Sequence, residues 1–427
     1  MKKIKIAVVG YGNRGQVYAD YSLDEPEQVE VAAVIDPNPY KLDVAKSRYG
    51  LSEKQVFLNY QDFLASGIET DIVINATMDQ VHYQTAIEIL ESKKDMIIEK
   101  PIVANRDELM DIQRLAKQNG CTVFVCHVLR YSPFYKSIKE ILSSGQLGKI
   151  ISMEMNEHVW VPHYLTSYVR GKWGKESECG SPILLAKCCH DMDLVAWLNG
   201  SKAASVSCFG HRSYFVAENK PNDATEYCFD CPHKQTCRYN ALDLYYHNDT
   251  MPFLVWDELD KPYDEITLEE KEAFLRKHLY GKCVYDCGGD VMDRQNVIVD
   301  FVDGSVATFT LSCATVRPAR YVHIIGTNGE LEGKLEEDKF IYRTYKKESV
   351  SYEEKLVDVS QKVVNNALYG GHSGGDYGIM SDIVRYLNGD KVSESITLLD
   401  DSVESHLLVF AAEESRKDRK VVDLFRK

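Results

Sequence analysis

Gly10-Tyr11-Gly12-Asn13-Arg14-Gly15 follows directly on the apolar run Ile4 to Val9, and this junction decides the fold of the first part of the chain. In the spacing G-x-G-x-x-G, the first glycine permits a tight strand-to-helix turn, the second lets backbone approach a pyrophosphate, and the third allows helix to pack closely on strand. The helix N-terminus, with its unsatisfied N–H groups, then faces the phosphates. A second apolar run, Val29 to Ile35, ends at Asp36, 21 residues beyond Gly15. A carboxylate there accepts both ribose hydroxyls of NAD, whereas the 2′-phosphate of NADP would meet like charge. Gly10, Gly12, Asn13, Arg14, Gly15 and Asp36 are therefore expected to hold a dinucleotide, NAD in preference to NADP. The bland alternative is a nucleotide-free glycine turn beside a strand-end aspartate.

At 427 residues, 44 % of them apolar, the chain is long enough for two cores. Its 50 basic and 65 acidic residues, net −15, argue against a nucleic-acid or acidic-membrane partner. Met1-Lys2-Lys3 could open a signal peptide, but Lys5 interrupts the apolar run and Gly10 ends it after a strand's length. No other stretch is long and apolar enough to span a bilayer. Twelve cysteines without an export signal read as reduced thiols, ligands or core residues, and the cytoplasm is the expected compartment.

Strand-like runs Ile4 to Gly10, Val29 to Asp36, Asp71 to Thr77, Met96 to Glu99 and Cys121 to Cys126 alternate with helical patterns, the grammar of a doubly wound parallel sheet. One crossover helix carries its own punctuation: Asn105 caps it, Glu108 completes an N-x-x-E box, Leu109, Ile112, Leu115 and Ala116 form its stripe, and Gly120 stops it. Beyond His127 the pattern changes. A helix from Ser132 to Ser144 leads into long alternating segments, Ile150 to Trp160, Ala204 to Cys208 and Asn296 to Ser312, with hairpin turns at Asp303-Gly304 and Asn328-Gly329. From Gly378 onward the chain reads as helical. These patterns predict an α/β fold: a nucleotide-binding domain over 1–128 and a second domain over 129–427 with a largely antiparallel sheet. The ligand cleft is expected at their junction.

Glu99-Lys100-Pro101, closing a strand after the glycine motif, resembles the glucose-fructose oxidoreductase and inositol dehydrogenase (Gfo/Idh/MocA) family. Thr77 to His82 resembles that family's T-P-N-x-x-H loop near the nicotinamide. Arg130-Tyr131-x-Pro133 and the segment Gly180 to Leu198, with His190-Asp191, match further pieces, so the resemblance covers most of the chain. It implies a Rossmann domain followed by an α/β domain whose large, mostly antiparallel sheet mediates homodimers or homotetramers. It adds Thr77, His82, Glu99 and Lys100 to the cofactor set and implies a carbohydrate or cyclitol substrate.

Such chemistry moves a hydride between a carbinol carbon and the nicotinamide while a neighbouring group takes or gives the hydroxyl proton. The resemblance places Lys100 and His190 at that centre. A free lysine has a pKa of about 10.4, so Lys100 as a base needs desolvation or nearby positive charge. His190 is expected in one helix starting at Ser181-Pro182 and ending before Gly200, where Lys187, three residues earlier, shares its face. Many relatives carry aspartate four residues before this histidine; here Ala186 stands there. Either Asp191 or Asp193 then assists His190, or Lys187 supplies charge to a substrate oxygen.

HVWVPHYLTSYVRGKW, His158 to Trp173, concentrates polar groups and flat rings in one stretch, the mixture a sugar site uses. His163, Tyr168, Arg170 and Trp173 are substrate candidates, with Trp160 a further platform. Lys187 and His372, the latter among the glycines of Gly370 to Gly375, complete the set. An insertion spans roughly Tyr214 to Asp286 and holds Cys228-x2-Cys231-x5-Cys237, with Cys283 on the returning chain. Four thiolates suit structural zinc or iron; reduced, unliganded cysteines are the alternative. The reading that follows is an NAD-dependent oxidoreductase acting on a sugar or cyclitol hydroxyl. A redox-neutral NAD-dependent glycosidase that oxidises, eliminates and re-reduces would use the same residues, and a non-catalytic nucleotide-binding regulator is the alternative of another class.

Overall fold

Strand β1 (Ile4–Val9) is buried at all but one position, as a near-continuous apolar run must be when helices cover both faces of a parallel sheet. The computed structural model describes residues 2–347, 349–362 and 372–424. β1 is joined by β2 (Val29–Ile35), β3 (Val56–Phe57), β4 (Ile72–Asn75), β5 (Asp95–Ile98) and β6 (Val123–Val125) in the order β3-β2-β1-β4-β5-β6, all parallel. Strand order reverses between β1 and β4, so the crevice outside their C-terminal ends is where a doubly wound sheet receives a ligand. The expected strands are all present, four of them trimmed by one to three residues and Met96 to Glu99 displaced by one to Asp95–Ile98; the two-residue β3 carried too little pattern to be read. The crossover helix Arg106–Asn119 begins where Asn105 Oδ1 accepts Glu108 N at 3.0 Å and ends at Gly120, which has φ +68°.

The second sheet contains β7 (Ile150–Trp160), β8 (Ala203–His211), β9 (Arg294–Phe301), β10 (Val306–Thr315), β11 (Ala319–Gly326), β12 (Gly329–Lys334), β13 (Lys339–Tyr345), β14 (Tyr352–Asp358) and β15 (Val422–Asp423). Their order is β14-β13-β12-β11-β7-β10-β9-β8-β15, antiparallel throughout except for β7 beside β10. Side chains of β9 alternate strictly between exposed and buried, so one face of this sheet covers a core and the other is open.

Helices from the end of the chain serve both halves. In Gly375–Leu387, Ile379, Met380, Ile383 and Val384 pack beneath Ile6, Val8 and Ile74 of the first sheet. The long helix Leu399–Asp418 places Leu399 and Val403 in the core of the first sheet and Leu408, Val409 and Ala412 in that of the second. The insertion contains short helical turns and the helix Leu268–Leu275 around its own apolar centre of Phe229, Tyr245, Trp256, Leu275 and Tyr280. Among the described residues no helix is long and apolar enough to cross a membrane.

Candidate active site

The glycine turn makes one wall of a cavity of about 540 Å³. Gly10 adopts φ +88°, and a Cβ there would stand 2.6 Å from the Ala76 carbonyl oxygen, so the ends of β1 and β4 meet only because this residue is glycine. A Cβ on Gly15 would stand 2.1 Å from the Gly10 carbonyl oxygen. Gly12 differs: nothing lies within 4 Å of the Cβ it lacks, leaving open space over the first N–H groups of helix Asn13–Asp24. That cradle fits a pyrophosphate. Asp36 closes the far end, where Oδ2 accepts Tyr11 N at 2.7 Å and Oδ1 accepts Asn38 N at 2.9 Å. Each carboxylate oxygen still has a lone pair for a ribose hydroxyl. Gly10, Gly12, Asn13, Asp36 and Thr77 line the cavity, and Phe253, Leu254, Asp257 and Tyr280 of the insertion face them.

Arg14, Glu99 and His82 have other duties. Arg14 Nε donates to Glu99 Oε1 at 2.7 Å and Nη2 to Asp376 Oδ1 at 2.6 Å, while Tyr18 bonds the same Glu99 oxygen. Burial alone would raise the Glu99 pKa, but the Arg14 and Lys100 charges hold it below the ordinary value. This buried network ties the glycine turn to helix Gly375–Leu387, and the side chains of Arg14 and Glu99 do not line the cavity. The His82 ring nitrogens lie 2.8 Å from the Pro101 carbonyl oxygen and 3.3 Å from that of Asn75, so this ring fastens the two loops to each other.

Lys100 follows β5 and donates from Nζ to the Ala186 carbonyl oxygen at 2.9 Å. A main-chain oxygen thus fixes the lysine. His190 lies in the first turn of helix Cys189–Asn199, 4 % exposed, and its Nδ1 has no hydrogen-bond partner. It stands in a row of imidazoles: His372 is 5.4 Å away between ring centroids, His127 6.0 Å, and His406 a further 5.6 Å beyond His127. Burial first, then the charges of Lys100, His372, His127 and Arg320, push the His190 pKa well below the ordinary imidazole value, so the ring is neutral near pH 7. His163 is held neutral in the same way, by burial and then by Lys187, Arg320, Lys100 and His372. These shared influences place Lys100, Lys187, His163, His190 and His372 in one electrostatic neighbourhood. His372 Nδ1 is 3.1 Å from Asp376 Oδ2, and despite burial Arg14 and His372 keep that carboxylate ionised.

The expected single helix from Ser181 is broken. Ile183–Ala186 is one short turn, Cys188 leaves helical geometry at φ −96° and ψ 7°, and Cys189–Asn199 starts afresh, so Lys187 and His190 do not share a continuous helical face. Lys187 Nζ instead lies 3.3 Å from Glu157 Oε1 of β7. The two aspartates considered as aids to His190 are committed elsewhere: Asp191 Oδ1 accepts Arg320 Nε at 2.8 Å, and Asp193 Oδ2 accepts Arg130 Nε at 2.6 Å. Burial raises the Asp191 pKa to about 6 against the pull of Arg320, with Glu157 adding to the rise. Glu157, Arg320 and Asp376 were missed by sequence reasoning. Only Asp376, four residues after His372, left a local signal; the other two meet the site through sheet pairing.

Arg170 lines the cavity beside Gly171 and Lys172, with Nη1 unpartnered, but is held mainly by main-chain oxygens. It is 1 % exposed, donates from Nε to the Lys282 carbonyl oxygen at 2.7 Å and from Nη2 to that of Tyr239 at 2.9 Å, and fastens the insertion to the second domain. Tyr168 is buried between Tyr164 and Trp173, at 6.1 and 6.3 Å, with His163 at 6.2 Å, whereas Trp160 is exposed.

The expected structural zinc or iron is not supported. Cys228, Cys231, Cys237 and Cys283 line one cavity of about 310 Å³, but among the described residues no three His, Cys, Asp or Glu side chains converge as a metal ion requires. Cys228 Sγ accepts Arg170 Nη2 at 3.4 Å, and burial raises the Cys237 and Cys283 thiols above their ordinary pKa, away from the thiolate form.

Comparison with known proteins agrees with this architecture. Residues 4–127 match the model of the NAD-binding Rossmann domain of the Gfo/Idh/MocA oxidoreductases, and residues 139–424 match that of their C-terminal α/β domain. YteT of Bacillus subtilis, named as an oxidoreductase, is 24 % identical over 83 % of this chain and 82 % of its own length. An inositol 2-dehydrogenase of Corynebacterium glutamicum is 23 % identical over 48 % of this chain and 57 % of its own length, so the match spans little more than half of that enzyme. Among solved structures, a levoglucosan dehydrogenase in complex with NADH and levoglucosan superposes with a TM-score of 0.71 at 16 % identity, covering 100 % of both chains. The WlbA dehydrogenase of Bordetella pertussis, bound to NADH and UDP-GlcNAcA, gives 0.67 at 16 % identity over 100 % of this chain and 99 % of its own.

Proposed function

Since the chain belongs to the Gfo/Idh/MocA oxidoreductase family, we propose that it oxidises a hydroxyl of a sugar, sugar derivative or cyclitol by hydride transfer to NAD. Bound NAD supplies the hydride acceptor. The observation that carries the reading is the meeting of Lys100, bonded to Ala186 O, with a buried His190 held neutral near pH 7. Neutral His190 accepts the hydroxyl proton on a ring nitrogen. Lys100 keeps two N–H groups beyond its bond to Ala186 and donates to the oxygen on which negative charge develops. Lys187 and His163 bind further hydroxyls, and Tyr168 with Trp173 backs the apolar face of the ring. The curated dehydrogenase relative and the levoglucosan enzyme support the substrate class.

Anaerobic incubation of the protein with NAD and a panel of sugars, cyclitols and aryl glycosides tests this. NADH should accumulate with a matching ketone. Lys100→Ala and His190→Ala should each lower turnover by roughly 10²–10⁴-fold while NAD still binds. Release of an aglycone without net NADH would overturn the reading in favour of the redox-neutral glycosidase. Tight NAD binding with no reaction on any substrate, unaffected by Lys100→Ala, would favour a regulator.

A further inference from the structure

Lys41 lies in the first turn of helix Pro39–Tyr49, just beyond Asp36, on the cavity wall with Asp36 and Asn38. If Gly12 faces the pyrophosphate, this is the adenosine-ribose end. A lysine here is the cation that a 2′-phosphate would pair with. Its ammonium is already engaged: Nζ is 3.0 Å from Asp257 Oδ2, a residue of the insertion. A second link runs beside it, Asn38 Nδ2 donating to Asp260 Oδ1 at 2.7 Å. The insertion thus faces Asp36 with two further lining carboxylates, Asp257 and Glu258. The wall's other lysine, Lys172, is held at Met78 Sδ, 3.1 Å away, and over the Trp173 ring, within reach of the Asp257 and Lys41 charges.

We propose that Asp257 is a nucleotide-specificity residue, which excludes NADP by occupying the Lys41 ammonium and adding negative charge where the 2′-phosphate would sit. The proposal rests on the dinucleotide reading above. A 2′-phosphate brings close to two negative charges at neutral pH; with Lys41 already paired it meets the Asp36 and Asp257 carboxylates with no unengaged cation on the Pro39–Tyr49 helix turn to offset them, whereas the ribose hydroxyls of NAD can donate to Asp36. The insertion, which sequence alone read as a metal loop, would then act on cofactor choice.

Equilibrium binding of NAD and NADP to the full-length protein tests it, with Asp257→Asn, Asp257→Ser, Lys41→Met and the double variant Asp257→Asn/Lys41→Met. The wild type should favour NAD. Either Asp257 variant should narrow the NAD-to-NADP affinity ratio by about tenfold, mainly through tighter NADP, and the double variant should restore the wild-type ratio. Asp260→Gly, which removes the acceptor of the neighbouring link at a left-handed backbone position and leaves Lys41 paired, should leave the ratio unchanged; narrowing equal to that of Asp257→Asn would mean that loosening the insertion, and not charge, is responsible, and would overturn the proposal. An unchanged ratio in folded Asp257 variants that still bind NAD overturns it alone. Wild-type protein that binds neither dinucleotide removes the dinucleotide reading and the proposal together.

Discussion

The dinucleotide cleft has two walls of opposite origin. One is the turn from β1 into helix Asn13–Asp24, where backbone geometry does the shaping: Gly10 and Gly15 are glycines because a Cβ would strike main-chain oxygen, and Gly12 leaves the space a ligand needs. The other is the insertion, which contributes Phe253, Leu254, Asp257 and Tyr280 from a segment held by an aromatic core and by Arg170. A wall made by backbone constraint writes itself into a few consecutive residues. A wall made by side-chain packing does not, because its partners come from distant parts of the chain.

Trp256→Ala should give the largest effect that separates the two walls. This side chain is 1 % exposed at the centre of the insertion, and truncating it should cost about 3–5 kcal/mol. Hydrogen exchange should then accelerate across 214–286 while β1 and β4 keep their protection; uniform loss across the first sheet would show the walls to be one cooperative unit. Gly12→Ala should come next. The melting temperature should hold, since the new methyl meets no protein atom, while NAD affinity falls by about tenfold, roughly 1.4 kcal/mol. Unchanged affinity would take the pyrophosphate away from this turn. Cys231→Ser should do least, within about 0.5 kcal/mol of wild type and with no change in bound metal. A loss of several kcal/mol would restore the liganded loop that the structure does not support.

The same contrast governs how much could be read in advance. The strands of the first sheet, the capped helix after Asn105 and the hairpin turn at Asp303-Gly304 are local patterns, and they fold as such; the turn expected at Asn328-Gly329 falls one residue earlier, at Thr327-Asn328, with Gly329 opening β12 opposite Gly326. Lys100 and His190 were reachable through motif resemblance. The burial of Arg170 against the Lys282 and Tyr239 carbonyl oxygens was not legible, because a lone arginine among aromatic residues looks the same whether it meets a ligand or main chain. The helix over Ser181 to Gly200 was misread as unbroken because nothing in its sequence announces the break at Cys188. The cysteine spacing was misread because spacing sets which thiols could converge, and only packing sets whether they do.

By itself, the sequence determined what short-range sterics and periodicity control: the glycine turn, Asp36 at the end of β2, the parallel sheet and the alternating strands after it. Tertiary structure alone decided the pairing of Lys100 with Ala186, the row of His372, His190, His127 and His406, the holding of Lys187 by Glu157, and the closing of the cleft by the insertion. Each of these joins residues far apart in the chain. Their energies come from burial and charge at a few ångströms, which sequence order does not encode.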